Sequence, residues 1–244
     1  MFERPQHEVV LAVLDAFRAD VLAASRFLFG GGTRIVLDLA EYRVSQDIDF
    51  LCSDPGGYGD LRFEATKNGP AALFTPKGLE RLSFPRELRV DQYGIRFRVV
   101  LGAESLKVEL IREARIDLGP GVRPGWSPVD CLSLEDCFAE KLLANSDRWA
   151  DRQILSRDLI DLAALRARIG PIPESAWMKV RAAYRSGPEE DLRKALSELE
   201  RDPARQRQCF DGLQVKERKG DILQGLALLR QDLTGIPRPD PSPS

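Results

Sequence analysis

The 244-residue chain, 43% apolar and 7% aromatic, has the composition of one large or two modest globular domains. Its net charge of −2 supplies no global basic field, so any contact with nucleic acid needs a local patch. Four dispersed cysteines without a Cys-x-x-Cys pair (Cys52, Cys131, Cys137, Cys209) and a single histidine, His7, argue against zinc chemistry and against Ser–His or Cys–His nucleophiles.

No run approaches the ~18 apolar residues of a membrane span, and Met1-Phe2-Glu3-Arg4-Pro5 lacks the parts of a signal peptide, so a cytoplasmic protein without membrane contact is expected. Residues 6–26 read as one amphipathic helix, with Val10, Leu11, Val13, Leu14, Phe17, Val21 and Leu22 as its stripe. The apolar run Phe27-Leu28-Phe29 then enters Gly30-Gly31-Gly32-Thr33, and Ile35, Val36, Leu37 and Leu39 leave it in a helical pattern. Strand, glycine turn and helix in that order aim backbone N–H groups and a helix N-terminus at an anion. A Walker A loop would carry a Lys after its glycines, and this turn has neither that Lys nor the dinucleotide spacing.

Fourteen residues after Thr33 comes Asp47-Ile48-Asp49. On a strand the two carboxylates share a face while Ile48 and Phe50 turn to the core. Such a pair is either a solvated face or two hard oxygen ligands; beside an anion-binding turn it suggests Mg²⁺ held by carboxylates and substrate phosphates, hence metal-dependent nucleotidyl transfer. Pro55-Gly56-Gly57-Tyr58-Gly59 reads as a chain break before a helix at 58–67. Strands follow at Leu88–Val90, Ile95–Val100 and Leu106–Ile111, with Tyr93-Gly94 as a hairpin turn. Arg81, Arg86, Arg89, Arg96 and Arg98 crowd this segment, either to solubilise a sheet face and edge or to pair with phosphates of an RNA. In the third run Lys107, Glu109 and Ile111 share one face and Val108 and Leu110 the other. An unpaired carboxylate inside such a run would be costly, so Glu109 marks either an exposed face or a functional position.

After Pro120-Gly121…Pro128 the pattern turns helical. Ser133-Leu134-Glu135-Asp136 reads as an N-cap opening a helix that carries Lys141, and a second helix from about Ser156 carries Arg157, Asp158 and Asp161. Asp158 and Asp161 share a face. Beyond residue 171 the segments Glu174–Arg185, Glu189–Arg201 and Asp221–Leu233 read as a helical subdomain, and the proline-rich 237–244 as a disordered tail.

Gly31-Gly32-Thr33, Arg43-x-Ser45-x-Asp47-x-Asp49 and Lys141…Arg148…Arg157-Asp158-x-x-Asp161 together resemble the AbiEii/AbiGii-type nucleotidyltransferase toxins of the DNA polymerase β-like superfamily, over roughly residues 25–170. The spacer from Thr33 to Asp47 is slightly longer than the superfamily's minimal pattern. The resemblance implies an α+β fold: a catalytic domain at 1–130, with a mixed sheet flanked by helices, then a helical domain at 131–236 contributing the Lys/Asp motif. It implies a nucleoside triphosphate bound at Gly31, Gly32, Thr33, Ser45, Lys141 and Asp161. Two Mg²⁺ ions, with Mn²⁺ as an alternative, are implied at Asp47, Asp49 and a third carboxylate. Glu109 is first choice for that third ligand, ahead of Glu104 and Asp117. Lys141, in Lys141-Leu142-Leu143-Ala144, would neutralise the triphosphate, and Asp158 would either orient that Lys or assist the incoming hydroxyl. The implied acceptor is an RNA, a tRNA end in particular, and the implied role a toxin held in check by an antitoxin. The same core could instead modify a small molecule or a protein hydroxyl, or bind nucleotide without turnover.

Overall fold

In the computed structural model, which describes residues 2–185, 187–215 and 218–234, the chain divides into two compact units, the second beginning at Glu135. Helix α1, Pro5–Ala16, starts on a proline whose missing N–H costs a helix nothing in its first turn, and buries His7, Val10, Val13 and Leu14. The single helix expected over 6–26 is in fact two. Phe17 turns extended (ψ 154°), and the chain resumes as α2, Ala19–Ala24. The break is tertiary in origin: the Arg18 N–H donates to Leu73 O, the Thr75 N–H donates to Ala16 O, and the Phe17 ring packs 4.2 Å from Phe74 and 5.1 Å from Phe50.

Strand β1, Leu28–Gly30, runs straight into α3, Gly31–Asp38, and β2 follows at Ile48–Cys52. Helix α4, Pro55–Asn68, begins where a chain break was expected. Asp54 caps it, accepting from the Gly56 N–H at 3.2 Å, and Pro55 fills its first position. Gly57 is required there because a Cβ would strike the carbonyl of Ser25. After α5, Pro76–Arg81, come β3, Arg89–Val90, β4, Gly94–Leu101, and β5, Glu104–Arg112. Asp91 closes the β3–β4 turn by accepting from the Tyr93 and Gly94 N–H groups.

The five strands form one mixed sheet in the order β1-β2-β5-β4-β3, with β2 and β5 parallel and the other pairs antiparallel. Alternation along the strands gives it two unlike faces. Ile48, Phe50, Ile95, Val108 and Leu110 are fully buried on one face, in a core shared with α1 and α4. The other face carries the polar residues of the candidate site.

The second unit is helical: α6, Leu134–Arg148; α7, Arg157–Arg168; α8, Glu174–Tyr184; α9, Gly187–Arg201; α10, Pro203–Gly212; and α11, Lys219–Thr234. Helix α11 lies so close to α7 that a Cβ on Gly225 would strike the backbone of Ala163. The tail expected at 237–244 lies outside the described residues. Among the described residues no helix is long and apolar enough to cross a membrane.

Candidate functional site

The glycine turn and the acidic strand meet directly. Gly30 lies opposite Asp49 in the β1–β2 register. Gly31 follows with φ +68°, a conformation that favours glycine, and a Cβ there would strike the Asp49 carboxylate. Conformation and contact therefore both demand glycine, and the result is a bare main chain opening α3 against a carboxylate. Gly31→Ala is expected to displace Asp49 and, if Asp49 is catalytic, to lower transfer by ~100-fold, as misplacement of a reacting group by about 1 Å does. Steady-state kinetics on protein shown to be folded by circular dichroism would check this.

Thr33 and Ser45 face inward. Thr33 is fully buried, and its hydroxyl donates to the Asp47 carbonyl at 2.6 Å. With its one proton so engaged, Thr33 Oγ1 accepts from Ser45 Oγ at 2.8 Å. Both hydroxyls, expected at the nucleotide, tie the start of α3 to the lead-in of β2. Asp47 itself sits half-buried just ahead of the strand.

One register row crosses the whole sheet: Gly30, Asp49, Glu109, Arg96, Arg89. Asp49 and Glu109 are parallel-strand neighbours on the polar face. Glu109 avoids the cost of an unpaired buried carboxylate because it lies between Arg96, at 3.3 Å from Nε, and Lys107. Glu104 opens β5 at the exposed hairpin end, and Asp117 lines a separate cavity of about 660 Å³ with Arg26, Asp54 and Asp130, so neither joins the row. Among the described residues no three of His, Cys, Asp or Glu are grouped to hold a metal ion. The donor set fits Mg²⁺ bound by one or two carboxylates together with substrate phosphates, which is that ion's usual habit, rather than a ready three-carboxylate cage.

The five arginines do not form one patch. Arg89, Arg96 and Arg98 share the polar face of β3 and β4, but Arg81 ends α5 and lines a groove with Glu8 and Asp15 of α1, while Arg86 lies in an exposed loop. Arg98 donates to the Ser105 hydroxyl and carbonyl, and Arg96 also pairs with Asp91 at 3.2 Å.

In the helical unit Lys141 is not a solvated surface residue: it is 5% exposed, with Asp158 at 1% and Asp161 at 0%. Its ammonium lies 2.9 Å from Asp158 Oδ1 and 2.7 Å from Asp161 Oδ2, and Arg148 forks onto Asp158 at 2.7 and 3.0 Å. The i, i+3 spacing puts both carboxylates on the α7 face that meets Lys141. Burial pushes the Asp158 carboxyl upward, but Lys141 and Arg148 overcome it and hold the group well below the carboxylate range. A carboxyl depressed from 3.8 contributes stability that is complete above that pH and is lost as pH falls below it. Asp158→Asn should therefore lower the melting temperature at pH 7, and the gap from the parent protein should shrink below pH 3.8. Thermal melts at the two ends of that range test it.

Two functional-looking residues, His7 and Glu41, were not legible as such from sequence. The available signal was a lone histidine on the buried stripe of α1, a polar group that must find a partner.

The glycine turn thus enters a helix against a strand carboxylate, on a mixed sheet followed in the chain by a helical unit. The model of the nucleotidyl transferase AbiEii toxin family, from type IV toxin–antitoxin systems, matches residues 12–228, and the chain belongs to that family. Among solved structures, the chain is similar to JHP933 from Helicobacter pylori (16% identity, TM-score 0.51, covering 96% of this chain and 94% of that one). It is also similar to a solved H. pylori structure provisionally titled a nucleotidyltransferase (16% identity, TM-score 0.47, covering 95% of this chain and 96% of that one). The first likeness is one of fold. No curated protein matches the chain.

Proposed function

We propose that this transferase moves a nucleoside monophosphate from a nucleoside triphosphate to a hydroxyl of an RNA, a tRNA end in particular, as a cytoplasmic toxin restrained by an antitoxin. The observation that carries the catalytic part is the contact of the Gly31 main chain with Asp49 within the Gly30–Asp49–Glu109 row. The N–H groups of the glycine turn and the first turn of α3 receive the triphosphate. Asp47 and Asp49 would hold Mg²⁺, and Glu109 is the candidate for a second ion in exchange for its Lys107 or Arg96 partner. Bound there, the metal supplies charge neutralisation and a lowered pKa for the acceptor hydroxyl. The acceptor oxygen then bonds to the α-phosphorus as the bond to pyrophosphate breaks, and its proton leaves to water. Positioning and electrostatics provide the acceleration, so no side-chain nucleophile is required. The burial of Lys141 between Asp158 and Asp161 favours orientation of the ammonium as the task of both carboxylates.

The test is incubation with each α-labelled triphosphate and total RNA, with and without EDTA. Label on RNA from a subset of the triphosphates, abolished by EDTA, is the expected result. Label on protein or on a small molecule would move the acceptor assignment to those classes. No label from any triphosphate would reduce the chain to a binding module.

A further inference from the structure

His7, the chain's single histidine, is fully buried on α1. Nδ1 lies 2.6 Å from Glu41 Oε1, and Nε2 faces the Ser45 N–H at 3.3 Å. A backbone amide can only donate, so Nε2 is the acceptor and Nδ1 carries the proton toward Glu41. Glu41 also accepts the N–H groups of Glu3 and Arg4 at 2.6 and 3.0 Å, donors at the start of α1 that have no partner within the helix. Glu41 and its neighbour Ala40 hold left-handed conformations (φ 52° and 56°), which non-glycine residues adopt at a cost.

From Ser45 the chain of bonds continues. Its hydroxyl donates to Thr33, and Thr33 donates to the carbonyl of Asp47. The path thus runs from the N-terminus of α1 through Glu41, His7, Ser45 and Thr33 to the main chain of the first catalytic carboxylate, touching the start of α3 on the way. Burial, opposed by Glu41, keeps the imidazole below 6.5, and the charges facing it are Glu41, Arg4 and Arg43. Burial raises Glu41, but the Glu3 and Arg4 N–H groups and His7 hold its carboxyl below the usual range.

We propose that His7 and Glu41 are positioning residues: a tautomer-locked pair that sets the path of residues 45–47 and so the aim of Asp47 and Asp49 at the glycine turn. The inference rests on the transferase reading of those two carboxylates. A pair that served stability alone could be exchanged for well-packed apolar residues at both positions, since replacing both partners of a buried hydrogen bond by hydrocarbon of the same shape can be nearly neutral. What hydrocarbon cannot do is hold one backbone amide in one direction.

Two isosteric variants divide the histidine. In His7→Gln the side-chain oxygen can stand where Nε2 stood and keep the acceptor for Ser45. In His7→Asn the amide can stand where Nδ1 stood, keeping the donor to Glu41 and losing the Ser45 contact. Each removes one buried hydrogen bond, so a structural role predicts equal losses of melting temperature and activity. Positioning predicts similar melting temperatures but a kcat lower by ~10–100-fold in His7→Asn only, the size of effect seen when an orienting partner is lost. Hydrogen exchange at the Ser45 amide reads the relay without any turnover: slow in the parent and His7→Gln, fast in His7→Asn. Nitrogen NMR of the lone histidine reports the tautomer directly. Equal exchange at Ser45 in both variants, equal activity in both, or an Nε2-protonated ring overturns the proposal. A parent protein that transfers nothing, with the exchange pattern intact, instead overturns the transferase reading and with it the catalytic purpose of the relay. Should His7→Asn fail to fold, Glu41→Gln is the second variant: a glutamine N–H that donates to Nδ1 moves the ring proton to Nε2, which then cannot accept from Ser45. Fast exchange at the Ser45 amide and the same loss of kcat are then expected, and parent-like exchange with parent-like kcat overturns the proposal.

Discussion

Asp49→Asn will abolish nucleotidyl transfer and leave the protein folded. The substitution keeps the shape of a side chain that opposes the glycine turn on one strand and neighbours Glu109 on the next, and it removes only the charge. If that charge holds the metal, its loss forfeits several kcal/mol of transition-state stabilisation, at least ~10³-fold in rate. Asp49 is half-buried at the polar face of the sheet, so the melting temperature should move by no more than ~2 °C. Single-turnover transfer from the preferred labelled triphosphate, with circular dichroism melts on the same preparation, makes the comparison. Full transfer by the folded variant would sink the carboxylate–metal reading. Glu109 offers a graded control. Its two cationic neighbours already offset its charge, so Glu109→Gln should leave triphosphate binding near the parent value while chemistry slows.

Local physics decided which parts of the site were legible in the sequence. The strand, glycine turn and helix at 28–38 could be read because an apolar run enters the glycines and a helical pattern leaves them, with Gly31 at a positive φ that favours glycine. The alternation of Lys107, Glu109 and Ile111 against Val108 and Leu110 fixed the faces of β5 for the same reason. What local reading could not supply was the row itself. Placing Glu109 beside Asp49 depends on a parallel pairing between strands some sixty residues apart, and nothing in either segment encodes that partner. The same limit explains the broken first helix. Phe17 continues the helical stripe in sequence, but Phe74 and the Leu73 carbonyl, far along the chain, pull it out. At 54–59 the glycines outweighed the Asp54–Pro55 helix start, although Gly57 is there for a close approach rather than for a turn. Lys141 was recognisable by its motif, yet its burial was invisible, because a lysine with two carboxylate partners looks in sequence like any lysine on a charged helix.

That burial changes what Lys141→Ala should do. A solvated lysine could be removed with little effect on stability, whereas this one leaves Asp158 and Asp161 without the ammonium they share. Breaking a buried pair costs about 3–5 kcal/mol, so a fall of roughly 6–20 °C in melting temperature is expected. Lost transfer in that variant alone would be ambiguous between chemistry and unfolding. Adding Asp161→Asn removes the ambiguity: it deletes one of the two carboxylates that shared the ammonium while Arg148 still serves Asp158, so the double variant should recover part of the lost stability. If the ammonium neutralises triphosphate charge, transfer should stay depressed by at least ~100-fold in the recovered protein, measured well below its melting point, because an absent lysine cannot meet a phosphate however stable the helices are. Recovery of stability and transfer together would show instead that the Lys141 cluster serves the helical unit alone, and would confine the chemistry to the glycine turn and the carboxylates of the sheet.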